Sequence, residues 1–76
     1  MSKISPISYN KLSKVLELEG YRLFRQKGDH LIFAKKGALR PLVIPKHEII
    51  PLFIIKDSLK DAKISRERYF ELLEQI

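Results

Sequence analysis

Arg22-Leu23-Phe24-Arg25-Gln26-Lys27-Gly28-Asp29-His30-Leu31-Ile32-Phe33-Ala34-Lys35-Lys36 is the stretch that decides the fold of this 76-residue chain. Two runs of extended character flank Gly28-Asp29. That dipeptide suits a two-residue hairpin loop with glycine at the first central position, where a positive φ is required. Residues 21–27 alternate loosely, which sets Tyr21, Leu23 and Arg25 on one face and Arg22, Phe24 and Gln26 on the other. Residues 30–35 form the returning strand, whose two-residue period puts His30, Ile32 and Ala34 together and Leu31, Phe33 and Lys35 opposite. His30 thus sits where a basic hairpin turns back on itself. Imidazole exchanges protons near neutral pH, so a histidine among cations suits proton transfer beside a phosphate.

Upstream of the hairpin, Ser8 is a good N-cap, and Leu12, Val15 and Leu16 recur at helical spacing. Gly20 falls at the left-handed position that closes such a helix, with Tyr21 supplying the accompanying apolar contact. The spacing predicts a helix over roughly residues 9–19. Downstream, Lys36-Gly37-Ala38 turns the chain into a third extended run, Leu39 to Ile44. Pro41 has no N–H to give a ladder, which marks this run as an edge strand. After Pro45 and Pro51, an apolar stripe of Ile54, Ile55, Leu59 and Ala62 predicts a helix with Lys56, Asp57, Lys60 and Asp61 outward. Ser65 is a second N-cap with Glu67 in the first turn, and Phe70, Leu73 and Ile76 are expected to line the inner face that follows.

The order is α-β-β-β-α, with the final helical section in one or two pieces. This is an α+β fold: a three-stranded antiparallel sheet with one face under helices and the other wet. At this length residues 1–76 are expected to form one domain with a small core.

Charge is uneven along the chain. Residues 22–46 carry seven Lys and Arg against Asp29 alone, while residues 1–21 net +1 and residues 47–76 net −1. The whole formal excess of +6 therefore comes from the middle third, which favours a localised face for a polyanion over a generally solvated basic surface. There are no cysteines and only two histidines, which excludes a disulfide framework and a thiolate metal site and leaves little for any other metal centre. No signal peptide is visible, since Lys3 is followed by Ser5, Pro6 and Ser8 rather than an apolar run. The longest apolar stretch, Ile49 to Ile55, contains Pro51 and is too short to span a membrane. A soluble, cytoplasmic protein is expected.

Cleavage of an RNA phosphodiester by the substrate's own 2′-hydroxyl needs a base for the hydroxyl proton, an acid for the leaving 5′-oxygen, and cations for the developing charge. His30 is the candidate catalytic residue, with Arg25, Lys27, Lys35 and Lys36 as candidate RNA-binding residues. The competing reading of His30 is a turn-flanking histidine bonded to a backbone carbonyl. His47, in Pro45-Lys46-His47-Glu48, is either an accessory acid–base group or, as its loop setting favours, an ordinary loop residue. Asp29 reads first as turn chemistry, because neighbouring strand residues point to opposite faces. Tyr21, Phe24 and Phe33 suit a core better than a base-stacking platform, since so small a protein needs its large apolar groups inside.

A leucine-rich helix ending in Gly20-Tyr21, then Arg25-Gln26-Lys27-Gly28-Asp29-His30-Leu31-Ile32-Phe33, then Leu42-Val43-Ile44-Pro45-Lys46-His47, resembles the HicA-type toxins. These are small messenger-RNA interferases of prokaryotic toxin–antitoxin pairs. The resemblance covers roughly residues 8–73 and is most specific at the Gly-x-His centre. It implies a fold like the double-stranded-RNA-binding domain, and cleavage of mRNA without a metal or other cofactor by the motif histidine, here His30. It also implies a cognate HicB-type antitoxin that masks the site. The chain departs from the family pattern at Asp29, where the motif has serine, and at Phe53-Ile54-Ile55, where the family has Gly-Thr-Leu.

Two other readings remain open on sequence. One is a non-catalytic RNA-binding module that uses the same basic face. The other is an interaction protein that meets a partner through Ile49–Ile55.

Overall fold

A computed structural model describes residues 3–76. The elements are α1 (Tyr9–Leu18), β1 (Arg22–Lys27), β2 (His30–Ala34), β3 (Leu42–Pro45), α2 (Leu52–Ala62) and α3 (Arg66–Glu74). The architecture is α+β, as the sequence leads one to expect, and the final helical section is two helices.

Helix ends follow local chemistry. The Ser8 hydroxyl accepts from the Lys11 N–H at 3.3 Å, and the Ser65 hydroxyl accepts from Arg68 N–H at 3.1 Å. At the far end of α1, Gly20 takes φ +98. There Tyr21 N–H reaches Leu16 C=O and Gly20 N–H reaches Glu17 C=O, each at 3.0 Å, the paired bonds that close a helix in a left-handed turn. The end of α2 repeats this pattern with a lysine: Ile64 N–H bonds Leu59 C=O, Lys63 N–H bonds Lys60 C=O, and Lys63 has φ 58.

The sheet is antiparallel in the order β1-β2-β3. Lys27 pairs with His30 across a Gly28-Asp29 loop in which Gly28 has φ +57, the hairpin read from the sequence. The third strand begins at Leu42, later than the sequence suggests. Leu39 is 97% exposed, and Gly37 with φ +90 turns the chain before Pro41, so residues 39–41 join the turn. Lys46 N–H donates to Asp29 C=O at 2.6 Å. The alternation of an antiparallel ladder therefore turns the backbones of residues 41, 43 and 45 to the open edge. Pro45, and Pro41 just before the strand, have no N–H, which leaves Val43 as the donor this edge offers a foreign strand.

Leu31, Phe33, Leu42 and Ile44 point inward and meet Leu12, Val15 and Leu16 of α1, Ile55 and Leu59 of α2, and Tyr69 and Leu72 of α3. The buried stripe of α3 is thus Tyr69 and Leu72. The expected Phe70 and Leu73 flank it half-buried, and Ile76 is exposed, because the face of α3 turned to α1 is set one residue earlier. Arg68 Nε donates to Glu19 Oε1 at 2.8 Å and Nη1 to Glu71 at 3.2 Å, tying the start of α3 to the end of α1. Every residue of β1 is exposed, so the helical layer covers β2 and β3 and leaves β1 beyond it. The Ile49–Ile55 segment is divided: Ile50 and Ile55 are core, Ile49 and Phe53 are exposed. No helix among the described residues is long and apolar enough to cross a membrane.

Candidate functional site

His30, Ile32 and Ala34 of β2 share a face, as the strand period predicts, and it is the face that the helices leave uncovered. His30 is exposed, with Lys27 directly opposite on β1 and Pro45 opposite on β3. The next row is Arg25, Ile32 and Val43, and the row beyond pairs Arg22 with Ala34.

This arrangement depends on a bulge. Leu23 pairs with Phe33 and Arg25 with Ile32, so Phe24 is an extra residue in β1. Strict alternation places Arg25 with Leu23, away from Arg22. The bulge instead moves Arg25 and Lys27 to the face that already holds Arg22 and His30. It also leaves Phe24 69% exposed, which corrects the expectation that this ring belongs to the core; Tyr21 and Phe33 do.

A groove of about 560 Å³ runs from this face along the open edge of β3 to α2. His30 and His47 both line it, with Pro45, Val43 and Arg40 on the sheet side and Asp57, Ser58 and Asp61 on α2. The backbone of His47 is fixed from the other side. Its carbonyl accepts from Tyr9 N–H at 3.2 Å, and Ile50 N–H bonds Ile7 C=O at 2.7 Å. Two imidazoles that lie seventeen residues apart in sequence thus open on one groove.

The four candidate cations divide. Arg25 and Lys27 stand beside His30, whereas Lys35 and Lys36 lie at the other end of the hairpin. Lys35 holds its ammonium over the Tyr21 ring, 5.5 Å from the centroid. Asp29 makes no side-chain hydrogen bond or ion pair among the described residues; its carbonyl, bonded to Lys46, does the structural work of the turn. Sequence reasoning missed Arg40 as a site residue: it lies beyond the expected motif, but the turn after Gly37 brings it to the groove. Asp57 is outward, as the sequence leads one to expect, and lines the same groove as His30.

The fold and this face define a class: a small α+β protein with a bare, cation-lined sheet face centred on an exposed imidazole. Residues 9–64 match the sequence model of the HicA toxin of bacterial toxin–antitoxin systems, a span from the first residue of α1 past the end of α2. The chain belongs to that family, the toxin partner of a toxin–antitoxin pair. No curated protein and no solved structure gives a significant match.

Proposed function

We propose that this toxin is an endoribonuclease that cleaves messenger RNA without a metal ion, with His30 as the catalytic residue. The observation that carries the reading is the position of His30 in a chain of this family. It stands exposed on the uncovered sheet face, flanked by Lys27 and opening on a groove with a second histidine.

In the reaction a 2′-hydroxyl oxygen attacks the adjacent phosphorus as the bond from phosphorus to the 5′-oxygen breaks. A cyclic phosphate and a free 5′-hydroxyl result. One proton leaves the 2′-hydroxyl and one reaches the departing oxygen, so two positioned groups serve the step. His30 carries one transfer and His47 is the accessory group for the other. Lys27 and Arg25 hold the phosphate and offset the charge that builds on its oxygens. Lys35 and Lys36 contact the RNA strand further along the hairpin. A HicB-type antitoxin restrains the toxin by covering this face.

The test is cleavage of a long single-stranded RNA in EDTA by the parent protein and by His30→Ala. The expected result is cleavage by the parent and a loss of about 10²–10⁴-fold in the variant, the range a positioned acid–base group contributes. Equal cleavage by both overturns the assignment of His30. Salt-sensitive binding by both with no cleavage by either leaves an RNA-binding module instead.

A further inference from the structure

Phe24 does more than interrupt the ladder. With Ile32, Leu39 and Pro41 it forms an apolar cleft of about 340 Å³ on the same sheet face as His30, within the range of small-ligand sites. Arg25, Lys35 and Arg40 are among the residues that line it, and no carboxylate is. Neither arginine is in an ion pair among the described residues. Ile32 follows His30 on the same face, so the cleft begins one pleat repeat, about 7 Å, from the imidazole.

A protein this small that leaves a phenylalanine ring and Leu39 in water exposes an apolar patch of the kind that marks a binding surface. The charges around it select the occupant. An apolar cleft whose lining includes two guanidinium groups outside any ion pair among the described residues fits a planar ring joined to phosphates. We propose that the cleft holds one nucleobase of an RNA strand, stacked on Phe24, with Arg25 and Arg40 on the flanking phosphates. The proposal rests on the RNA-cleaving reading and adds a subsite to it: the base next to the scissile phosphate is gripped by its face, whatever its identity.

The test compares two probes by fluorescence anisotropy. One is a 2′-O-methyluridine oligomer of about 12 residues, within the size of known single-strand sites, and the other is an abasic oligomer of equal length. Neither carries the nucleophilic hydroxyl, so the parent protein is used intact. The parent is expected to prefer the uridine probe by about 5- to 150-fold, the equivalent of stacking one base at about 1–3 kcal/mol. Phe24→Ala abolishes the preference without changing the salt dependence, and Phe24→Trp keeps it. Phe24→Ala binding both probes as the parent does overturns the proposal; with RNA cleavage intact, it falls alone. If the parent binds neither probe and cleaves no RNA, the subsite and the ribonuclease reading fall together. Concentration-dependent self-association that Phe24→Ala removes, with probe binding unchanged, also overturns it and gives the cleft to a second copy of the chain.

Discussion

Lys27 and His30 stand directly opposite each other across the β1–β2 ladder, so ammonium and imidazole rise from the same face of the sheet. Cβ atoms of such a pair are about 4.5–5.5 Å apart, close enough for both groups to reach one phosphate. The tight Gly28-Asp29 loop fixes this register, and a slip of one residue would send His30 to the other face.

Lys27→Gln should therefore weaken binding of single-stranded RNA about equally for every sequence. It should also lower the slope of log K against log salt by about 0.7, the share of one lost phosphate contact. Titrations at several salt concentrations read this directly. An unchanged slope would remove Lys27 from the interface.

His47→Ala tests whether the shared groove is a working pair of imidazoles. If His47 carries the second proton transfer, kcat falls about 10²-fold or more while KM holds, because the loss is confined to the transition state. Steady-state kinetics on a defined RNA separates the two parameters. An unchanged kcat returns His47 to its loop role.

Much of this site was legible in the chain because its determinants are local. Gly28-Asp29 specifies the hairpin, Gly20 ends α1, and a two-residue period puts His30, Ile32 and Ala34 on one face. The bulge at Phe24 was not legible. Its neighbours alternate only loosely, and the extra residue is set by pairing with β2 rather than by any turn residue of its own. The same holds for the bringing together of His30 and His47, which needs the N-terminal segment bonded at residues 47 and 50 and α2 laid against β3. In α3, Phe70 is the more apolar of two adjacent aromatic residues, yet contact with α1 buries Tyr69 instead.

Lys63→Gly should stabilise the protein. Lys63 occupies at the end of α2 the left-handed position that Gly20 occupies at the end of α1, and it has φ 58. An L-residue with a Cβ pays about 1–2 kcal/mol there. Allowing for the extra freedom of glycine in the unfolded chain, the expected gain is about 0.5–1 kcal/mol. In urea the midpoint should rise with the m-value unchanged. A lower midpoint would mean that the lysine side chain stabilises the turn by more than its backbone strain costs.

Tyr69 is 1% exposed, and its hydroxyl has no hydrogen-bond partner among the described residues. Leaving a buried polar group unpaired costs about 1–3 kcal/mol, so Tyr69→Phe should be at least as stable as the parent at neutral pH. Burial also holds the phenol's pKa above the ordinary value of 10.0, because the phenolate loses its hydration inside. The sign follows from proton counting. Above the ordinary value the unfolded chain has released this proton while the folded chain keeps it, so stability falls as pH rises through that window. Tyr21 adds to the same trend, raised first by burial and then by the charge of Asp61. Tyr69→Phe should therefore flatten the alkaline loss of stability and leave the part due to Tyr21. Urea melts from neutral pH to above 10.0 would show it. A variant less stable at neutral pH and equally sensitive to alkali would mean that the Tyr69 hydroxyl is satisfied in solution, by water or by a shift of α3.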